Sequence, residues 1–446
     1  MKILQYTLGL PPYRRGGLTR YSVDLSETLS EHNRVTVLYP GKMPLWSSPK
    51  LHFCERKTRY RFRVIEMENP LPVSLGLGID SSAPYMEKRD KKNIVSFLKS
   101  EKPDVIHIHT LMGLPLEFLE VAKKLNIKLV YTTHDFYGLC PKMLERNPRV
   151  ALKHRACSYD CMLCGCGPSL KKVFAMQSHV YKYLKESFLV KKIRKNQKKE
   201  ITNTSSDGLP LSTREVENRY NLRVYYKKMF NLIDMFHYNS NVSKDYVEQF
   251  LPRAKGRVVN ITHNGIKDNR NNKKCRSNNQ SKIIFGYIGP YDEKKGFYEL
   301  VDTLVKLRED YTNFEFHAYG DILENNIFSN SWAYNHEVLP SSKMSEAYKK
   351  IDVLIMPSLW HETFGFSVLE ALSYGDVCLV SNTVGAKDLI DPRFIYKDKK
   401  EQINILKKIC LEPTQILKNE KEYIRNENLP FNFKKHVEKV YKEIYL

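Results

Sequence analysis

The chain has 446 residues, of which 42% are hydrophobic, 11% aromatic and 27% charged, and its formal net charge is +22. That length exceeds one typical core and implies two domains, and the absence of any run of about 18 apolar residues excludes a membrane-spanning helix. The positive charge speaks to partners, not to fold: an anionic membrane, nucleic acid, phosphorylated substrates, or a basic surface with no partner at all.

The first twelve residues carry one positive charge, are interrupted by Gln5 and end at Pro11-Pro12. They read as a first core strand, Lys2–Thr7, and not as a signal peptide. The nine cysteines are then expected in a reducing cytoplasm, where disulfides are rare. A loop with Pro11, Pro12, Gly16 and Gly17 follows, and Leu18, Tyr21, Leu25 and Leu29 recur at helical spacing. Val35–Tyr39, Asp104–His109 and Lys128–Thr133 read as buried strands, with a helix at about Leu116–Leu125. Strands alternating with helices predict right-handed βαβ units and a parallel sheet.

From about 140 to 220 the pattern breaks. Cys140, Cys157, Cys161, Cys164 and Cys166 fall within 27 residues. The Cys161–Cys164 pair has zinc-ligand spacing, and Cys140 and Cys157 would complete four thiolates. Structural zinc, free thiols and disulfides are three open readings of this cluster. Four thiolates would leave no open position for metal catalysis. Lys171 to Lys199 is rich in Lys and Arg interspersed with apolar residues. It reads either as a basic amphipathic helix suited to an anionic membrane surface, or as a helix packed on the first domain with a solvated basic face. No recognised nucleic-acid motif accompanies it, so nucleic acid is not an expected partner.

Helical order resumes at Tyr225–Leu232. A strand at Met235–Tyr238, a helix at Ser243–Phe250 and a strand at Arg257–Thr262 follow. The almost wholly polar segment 264–282 reads as an interdomain linker. A second α/β series starts at Ile283–Ile288 and continues through Phe314–Tyr319, Val353–Met356 and Val377–Val380. Phe431–Leu446 reads as an amphipathic helix. Open parallel sheets bind ligands at the carboxyl ends of their strands. Five loops are therefore expected at one cleft: Leu8–Gly17, Thr110–Leu114, His134–Gly138, Gly289–Gly296 and Leu359–Ser367.

The last of these loops is the most informative. Glu362 and Glu370 bracket a turn at Gly365 that opens a short helix. Loop amides at Gly365, Phe366 and Ser367 can face a diphosphate, and the two carboxylates can accept hydrogen bonds from sugar hydroxyls. A capped helix with one solvated charge is the plain alternative.

The segment from Asp352 through Val384-Gly385-Ala386 to Ile390 resembles the C-terminal signature of the family 4 retaining glycosyltransferases of GT-B fold. Gly16-Gly17, His107-Ile108-His109, Asn264-Gly265-Ile266 and Gly289 to Lys295-Gly296 fall in the family's order, so the resemblance covers nearly the whole chain except about 141–215. It implies two Rossmann-like α/β domains facing a cleft, with a C-terminal helix crossing back to the first. The expected layout is an acceptor-side domain over 1–263 carrying the Cys-rich and basic insertion at about 140–215, the linker at 264–282, a nucleotide-sugar-binding domain over 283–430, and the returning helix at 431–446.

The resemblance further implies that Glu362 contacts donor-sugar hydroxyls, Glu370 the ribose, Lys295 the diphosphate, Gly16 and Gly17 the donor phosphates and sugar, and His109 the donor sugar, with His107 in the core. His134 and Asp135 are acceptor-side candidates. Many members have Arg where this chain has Pro290, and Arg14 and Arg15 stand ready for phosphate or lipid contacts. No carboxylate is assigned as a nucleophile, and no Asp-X-Asp metal motif is evident. The implied reaction is transfer of a sugar from a UDP- or GDP-sugar to a glycan or lipid-linked acceptor, with retention and no cofactor required for catalysis. The expected setting is bacterial surface polysaccharide assembly, in the cytoplasm or peripheral at the inner membrane face. A GT-B epimerase or phosphorylase, or a non-catalytic partner subunit, are the competing readings.

Overall fold

The computed structural model describes the chain except residues 44–48, 74–78, 80, 140–169, 179–180, 182–186, 188–211 and 272–281. Cys140, Cys157, Cys161, Cys164 and most of the basic stretch lie outside the described residues. Strands form where β-branched and aromatic residues run together, and a central strand of a parallel sheet buries both faces. In order they are β1 (Lys2–Tyr6), β2 (Arg34–Pro40), β3 (His52–Arg56), β4 (Arg63–Glu68), β5 (Val105–Ile108), β6 (Lys128–Thr132), β7 (Met235–Tyr238) and β8 (Gly256–Val258). They form one sheet in the order β3-β4-β2-β1-β5-β6-β7-β8. Every pair is parallel except β3 with β4, an antiparallel hairpin at the edge that lies outside the strands expected from periodicity. The helices of this half are α1 (Gly17–Leu29), α2 (Lys91–Glu101), α3 (Leu116–Lys124), α4 (Leu170–Gln177), α5 (Thr213–Asn231) and α6 (Asn241–Phe250).

The start of α5 differs from expectation. It begins at Thr213, not Tyr225, with the Ser212 hydroxyl accepting from the Glu215 amide. The hydrophobic pattern hides this helix because one of its inward positions is Arg219, 8% exposed, which donates to the Ile79 carbonyl at 2.6 Å and to Glu215.

The second sheet contains β9 (Ile283–Ile288), β10 (Phe314–Tyr319), β11 (Ala333–Asn335), β12 (Val353–Met356), β13 (Val377–Ser381) and β14 (Ile395–Tyr396). Its order is β11-β10-β9-β12-β13-β14, parallel throughout. Its helices are α7 (Phe297–Asp310), α8 (Met344–Lys350), α9 (Phe366–Ser373), α10 (Lys399–Leu411) and α11 (Pro413–Asn426).

The chain then returns to the first sheet through α12 (Phe433–Val440) and a π-helical turn, Tyr441–Tyr445. Phe433, Val437, Val440 and Ile444 bury against the same core as Tyr21, Leu25 and Leu29 of α1. The Tyr21 hydroxyl meets His436 Nε2 at 2.8 Å, and Lys128 donates to the Tyr445 carbonyl. Among the described residues no helix is long and apolar enough to cross a membrane.

Candidate active site

Strand order reverses at two points, between β1 and β5 in the first sheet and between β9 and β12 in the second. The loops leaving these strands are where an open α/β sheet can hold a ligand. In this fold the two sets of loops meet. Ser240, at the start of α6, donates to the Thr363 carbonyl at 2.6 Å. The Asn241 amide donates to Asp388 at 2.7 Å, and the Thr363 hydroxyl to the His134 carbonyl at 3.0 Å. A cavity of about 300 Å³ lies at this seam, walled by His134, Asp135 and Tyr137 on one side and Asp292, Lys295 and Glu362 on the other.

On the second-sheet side the Lys294 carbonyl accepts from the amides of Leu359 and Trp360, which ties the β9 and β12 loops together. The Lys294 ammonium lies 5.0 Å from the centre of the Trp360 ring. Lys295 therefore projects elsewhere and forms an ion pair with Glu362. Burial lowers the Lys295 amine to about 8, against the opposing pull of Asp292. Gly365, at φ 104°, takes the chain into α9 with no side-chain cap. A left-handed turn of this kind suits glycine, and it leaves the first-turn amides to an external acceptor. The Ser367 hydroxyl faces Met356 Sδ at 3.9 Å, so Ser367 offers its backbone. The Phe366 ring packs against Gly17, where a Cβ would lie 2.9 Å from Cδ2. Gly16 precedes α1, which likewise starts without a side-chain cap.

Glu370 accepts from three donors. Tyr348 donates at 2.6 Å, His263 Nε2 at 3.0 Å and Arg20 at 3.3 Å. Burial pushes its carboxyl up, but the hydrogen bonds from His263 and Tyr348 and the charge of Arg20 hold it below the usual range. Arg20 reaches Glu370 by lying against Gly265, where any Cβ would collide with its guanidinium. None of these three partners was identified from sequence. The Asn264-Gly265-Ile266 motif was the available signal, because it needs a side-chain-free position at a domain junction.

Of the histidines only His109 differs from expectation, since His107 was expected in the core and His134 beside the site. His109 is 0% exposed, as is His107, because β5 is central and covered on both faces. Two other histidine rings line the cavity, His361 from the loop after β12 and His134 from the loop after β6, and His134 Nε2 lies 3.0 Å from His109 Nδ1. A single hydrogen-bond chain fixes the rings of His107, His109 and His134. His237 Nε2 lies 2.8 Å from the Val259 carbonyl, which can only accept, so Nε2 carries the proton. Burial lowers His237 to about 4, so the ring is neutral and its Nδ1 accepts from Thr132 at 2.8 Å. Thr132 in turn accepts from His107 Nε2 at 2.6 Å, and His107 Nδ1 accepts from Tyr445 at 2.7 Å. Gln5 Nε2 donates to Tyr445, and Gln5 Oε1 accepts from His109 Nε2 at 2.7 Å. His109 Nδ1 is left to accept from His134 Nε2. Burial holds His107, His109 and His134 well below the ordinary histidine range, so every ring keeps one proton. His134 is thereby fixed with its Nδ1 lone pair as the polar atom it offers the cavity.

Asp135 accepts from the Tyr137 amide at 3.1 Å and the Thr110 hydroxyl at 3.4 Å, and burial raises its carboxyl to about 6. The Tyr287 hydroxyl donates to the Pro290 carbonyl at 2.7 Å, which holds the β9 loop where an arginine was expected. Among the described residues no group of three or more His, Cys, Asp or Glu stands within metal-binding reach.

Two family profiles match the chain. The one described as Glycosyltransferase Family 4 matches residues 15–166, and Glycosyl transferases group 1 matches 268–428. A Klebsiella pneumoniae protein described as an uncharacterized 42.6 kDa protein in the cps region is 22% identical over 67% of this chain and 62% of its own length. Glycogen synthase of Lachnospira eligens is 29% identical over 27% of this chain and 26% of its own. The matches thus span less than two thirds of either relative. Among solved structures, Anabaena HepE in complex with UDP-glucose superposes with a TM-score of 0.54 at 14% identity, over 99% of this chain and 98% of that one. Sucrose-phosphate synthase of Thermosynechococcus elongatus gives 0.53 at 14%, over 99% and 97%. At such identities the likeness shows the fold, which is GT-B.

Proposed function

Because this chain belongs to the family 4 glycosyltransferases of GT-B fold, we propose that it moves a sugar from a nucleotide-sugar donor to a glycan or lipid-linked acceptor, with retention and without a catalytic metal. The observation that carries this reading is the Lys295–Glu362 ion pair beside the uncapped start of α9. Each member of that pair occupies the place of a donor group. A diphosphate draws Lys295 and the α9 amides toward itself. Glu362 is then released to accept from sugar hydroxyls.

Glu370 already holds three of the roughly four hydrogen bonds a carboxylate can accept. Its most exposed partner, Arg20, with its side chain 46% exposed, yields to the ribose hydroxyls. In the transfer step the bond from sugar C1 to the phosphate oxygen breaks and a bond from C1 to the acceptor oxygen forms on the same face. The acceptor proton passes to the departing phosphate oxygen, so no protein nucleophile is needed. Lys295 and the α9 amides stabilise the charge that develops on the leaving group. His134 Nδ1 and Asp135 accept from hydroxyls of the sugar or acceptor.

Anabaena HepE has been solved with UDP and with UDP-glucose, and the Klebsiella relative is named for its cps region. The first favours a UDP-sugar donor and the second surface polysaccharide assembly. The net charge of +22 supports peripheral contact with the anionic inner face of a membrane. The test is a melting and hydrolysis panel of UDP- and GDP-sugars. A ligand at 100 times its Kd stabilises by about 2.7 kcal/mol. A panel in which no nucleotide or nucleotide sugar raises the melting temperature or is turned over would refute the reading.

A further inference from the structure

A second and larger cavity, about 830 Å³, opens on the first sheet beside the donor site. It lies over the β1, β2 and β4 side of that sheet. The Leu8–Gly17 loop separates the two: Arg14 faces the large cavity, whereas Gly17 packs on Phe366. The lining is rich in donors. Arg14, Lys57 and Arg59 line it, and none of them has a carboxylate partner among the described residues. Arg56 also lines it but is paired with Glu66 at 2.8 Å and Glu68 at 2.8 Å, so the one carboxylate among the described lining residues, Glu66, is already matched.

The most buried uncharged polar side chain among the described lining residues is Gln177, 3% exposed. Its Oε1 accepts from the Val73 amide at 2.9 Å, but its Nε2 is buried with no hydrogen-bond partner among the described residues. A buried N–H left unpaired costs about 1–3 kcal/mol, so this group calls for an external acceptor. Tyr13, Tyr39, Tyr60 and Tyr181 add aromatic surface to the walls. Three unmatched cations and an orphaned amide N–H together make a poor site for a neutral sugar and a good one for an anion. Burial also works against the charge on Arg14, a cost that a bound anion offsets.

We propose that this cavity binds an anionic group carried by the acceptor glycan, a diphosphate or a carboxylate, held by Arg14, Lys57, Arg59 and Gln177 while the acceptor hydroxyl reaches across the Leu8–Gly17 loop. The proposal rests on the transferase reading and adds the charge class of the acceptor.

The test uses the full chain with UDP present in excess, so that the donor phosphate site is filled, and titrates inorganic pyrophosphate by calorimetry. Pyrophosphate is expected to bind. The charge reversals Lys57→Glu and Arg59→Glu together, and separately Gln177→Leu, are expected to weaken it about tenfold or more, with UDP affinity within about twofold of wild type. Lys57 and Arg59 are exposed, and surface changes of this kind leave stability within about 0.5 kcal/mol. A decyl diphosphate or a uronic-acid disaccharide that displaces pyrophosphate identifies which source the anion comes from. Absence of pyrophosphate binding overturns the proposal, as does equal binding by the charge-reversed variant. Loss of UDP binding instead strikes the donor reading, and the same variants then judge the cavity in the nucleotide-free protein.

Discussion

Tyr445→Phe tests whether the buried hydrogen-bond chain positions His134. Tyr445 is 2% exposed, and its hydroxyl accepts from Gln5 at 3.0 Å and donates to His107 at 2.7 Å. Gln5 and His107 are both 0% exposed. Removing the hydroxyl strands one buried donor and one buried acceptor, at about 1–3 kcal/mol each. A net loss of about 3 kcal/mol follows, or roughly 6–12 °C in melting temperature for a unit of 150–250 residues. The functional consequence is separate. With the hydroxyl gone, the Gln5 amide is free to turn over, and His109 and then His134 can take the opposite tautomer. His134 would then offer the cavity a proton instead of a lone pair. One misplaced hydrogen bond of about 1.4 kcal/mol is a tenfold loss in kcat.

The control is Ile444→Ala, which removes a 0% exposed neighbour in the same turn and costs about 2–5 kcal/mol through a cavity without touching the chain. Melting curves and steady-state donor turnover are measured for both, and the ring tautomers by nitrogen NMR. Tyr445→Phe is expected to lose turnover and change the His134 tautomer, and Ile444→Ala only stability. Equal kcat losses in the two variants, or a destabilised Tyr445→Phe with full kcat and an unchanged His134, would refute the reasoning.

Three other outcomes are expected. Lys295→Ala removes the charge nearest the leaving group and should lower kcat by about 10²–10³ in a turnover assay, with Glu362 losing its ion-pair partner in the empty site. Glu370→Ala should weaken UDP binding in calorimetry by about 1.5–3 kcal/mol, the worth of hydrogen bonds to a charged group, whereas Glu362→Ala should lower turnover and spare UDP affinity. Stability should fall on acidification between pH 6.5 and 4. His237 is held at about 4 when folded, so below the unfolded value of about 6.5 the unfolded chain binds the extra proton. That single group is worth on the order of 3 kcal/mol by pH 4, measurable as a denaturation midpoint against pH. A midpoint flat over that range would mean the rings are not buried neutral.

The α/β alternation was legible because each strand and helix announces itself locally. Ile283–Ile288 is an apolar run long enough for one buried strand, Phe314–Tyr319 alternates its apolar residues with Glu315 and His317, and Leu18, Tyr21, Leu25 and Leu29 keep one helix face. The loops that carry Lys295, Glu362, Gly365 and Glu370 were legible for the same reason, since chemistry-bearing residues follow strands within a few positions. The β3–β4 hairpin escaped because neither His52–Arg56 nor Arg63–Glu68 keeps a strict apolar/polar alternation or a continuous apolar run. The first half of α5 escaped because a buried arginine stands where the pattern needs a hydrophobic residue.

Tertiary structure decided what depends on residues far apart in the chain. Sequence could place His109 at a strand end, but not that a central strand would bury it and leave His134 at the cavity. The chain that fixes those rings joins Gln5 to Tyr445, 440 residues apart. Glu370 could be read as a ribose acceptor, yet its ionisation is set by Arg20, His263 and Tyr348 from three separate elements. Arg14, Lys57, Arg59 and Gln177 share no motif and become one donor-rich cavity only when β1, β4 and α4 pack together. Periodicity reports what a residue does within its own element. Which side chains share a low-dielectric space, and so which charges matter, is a property of the packed sheets alone.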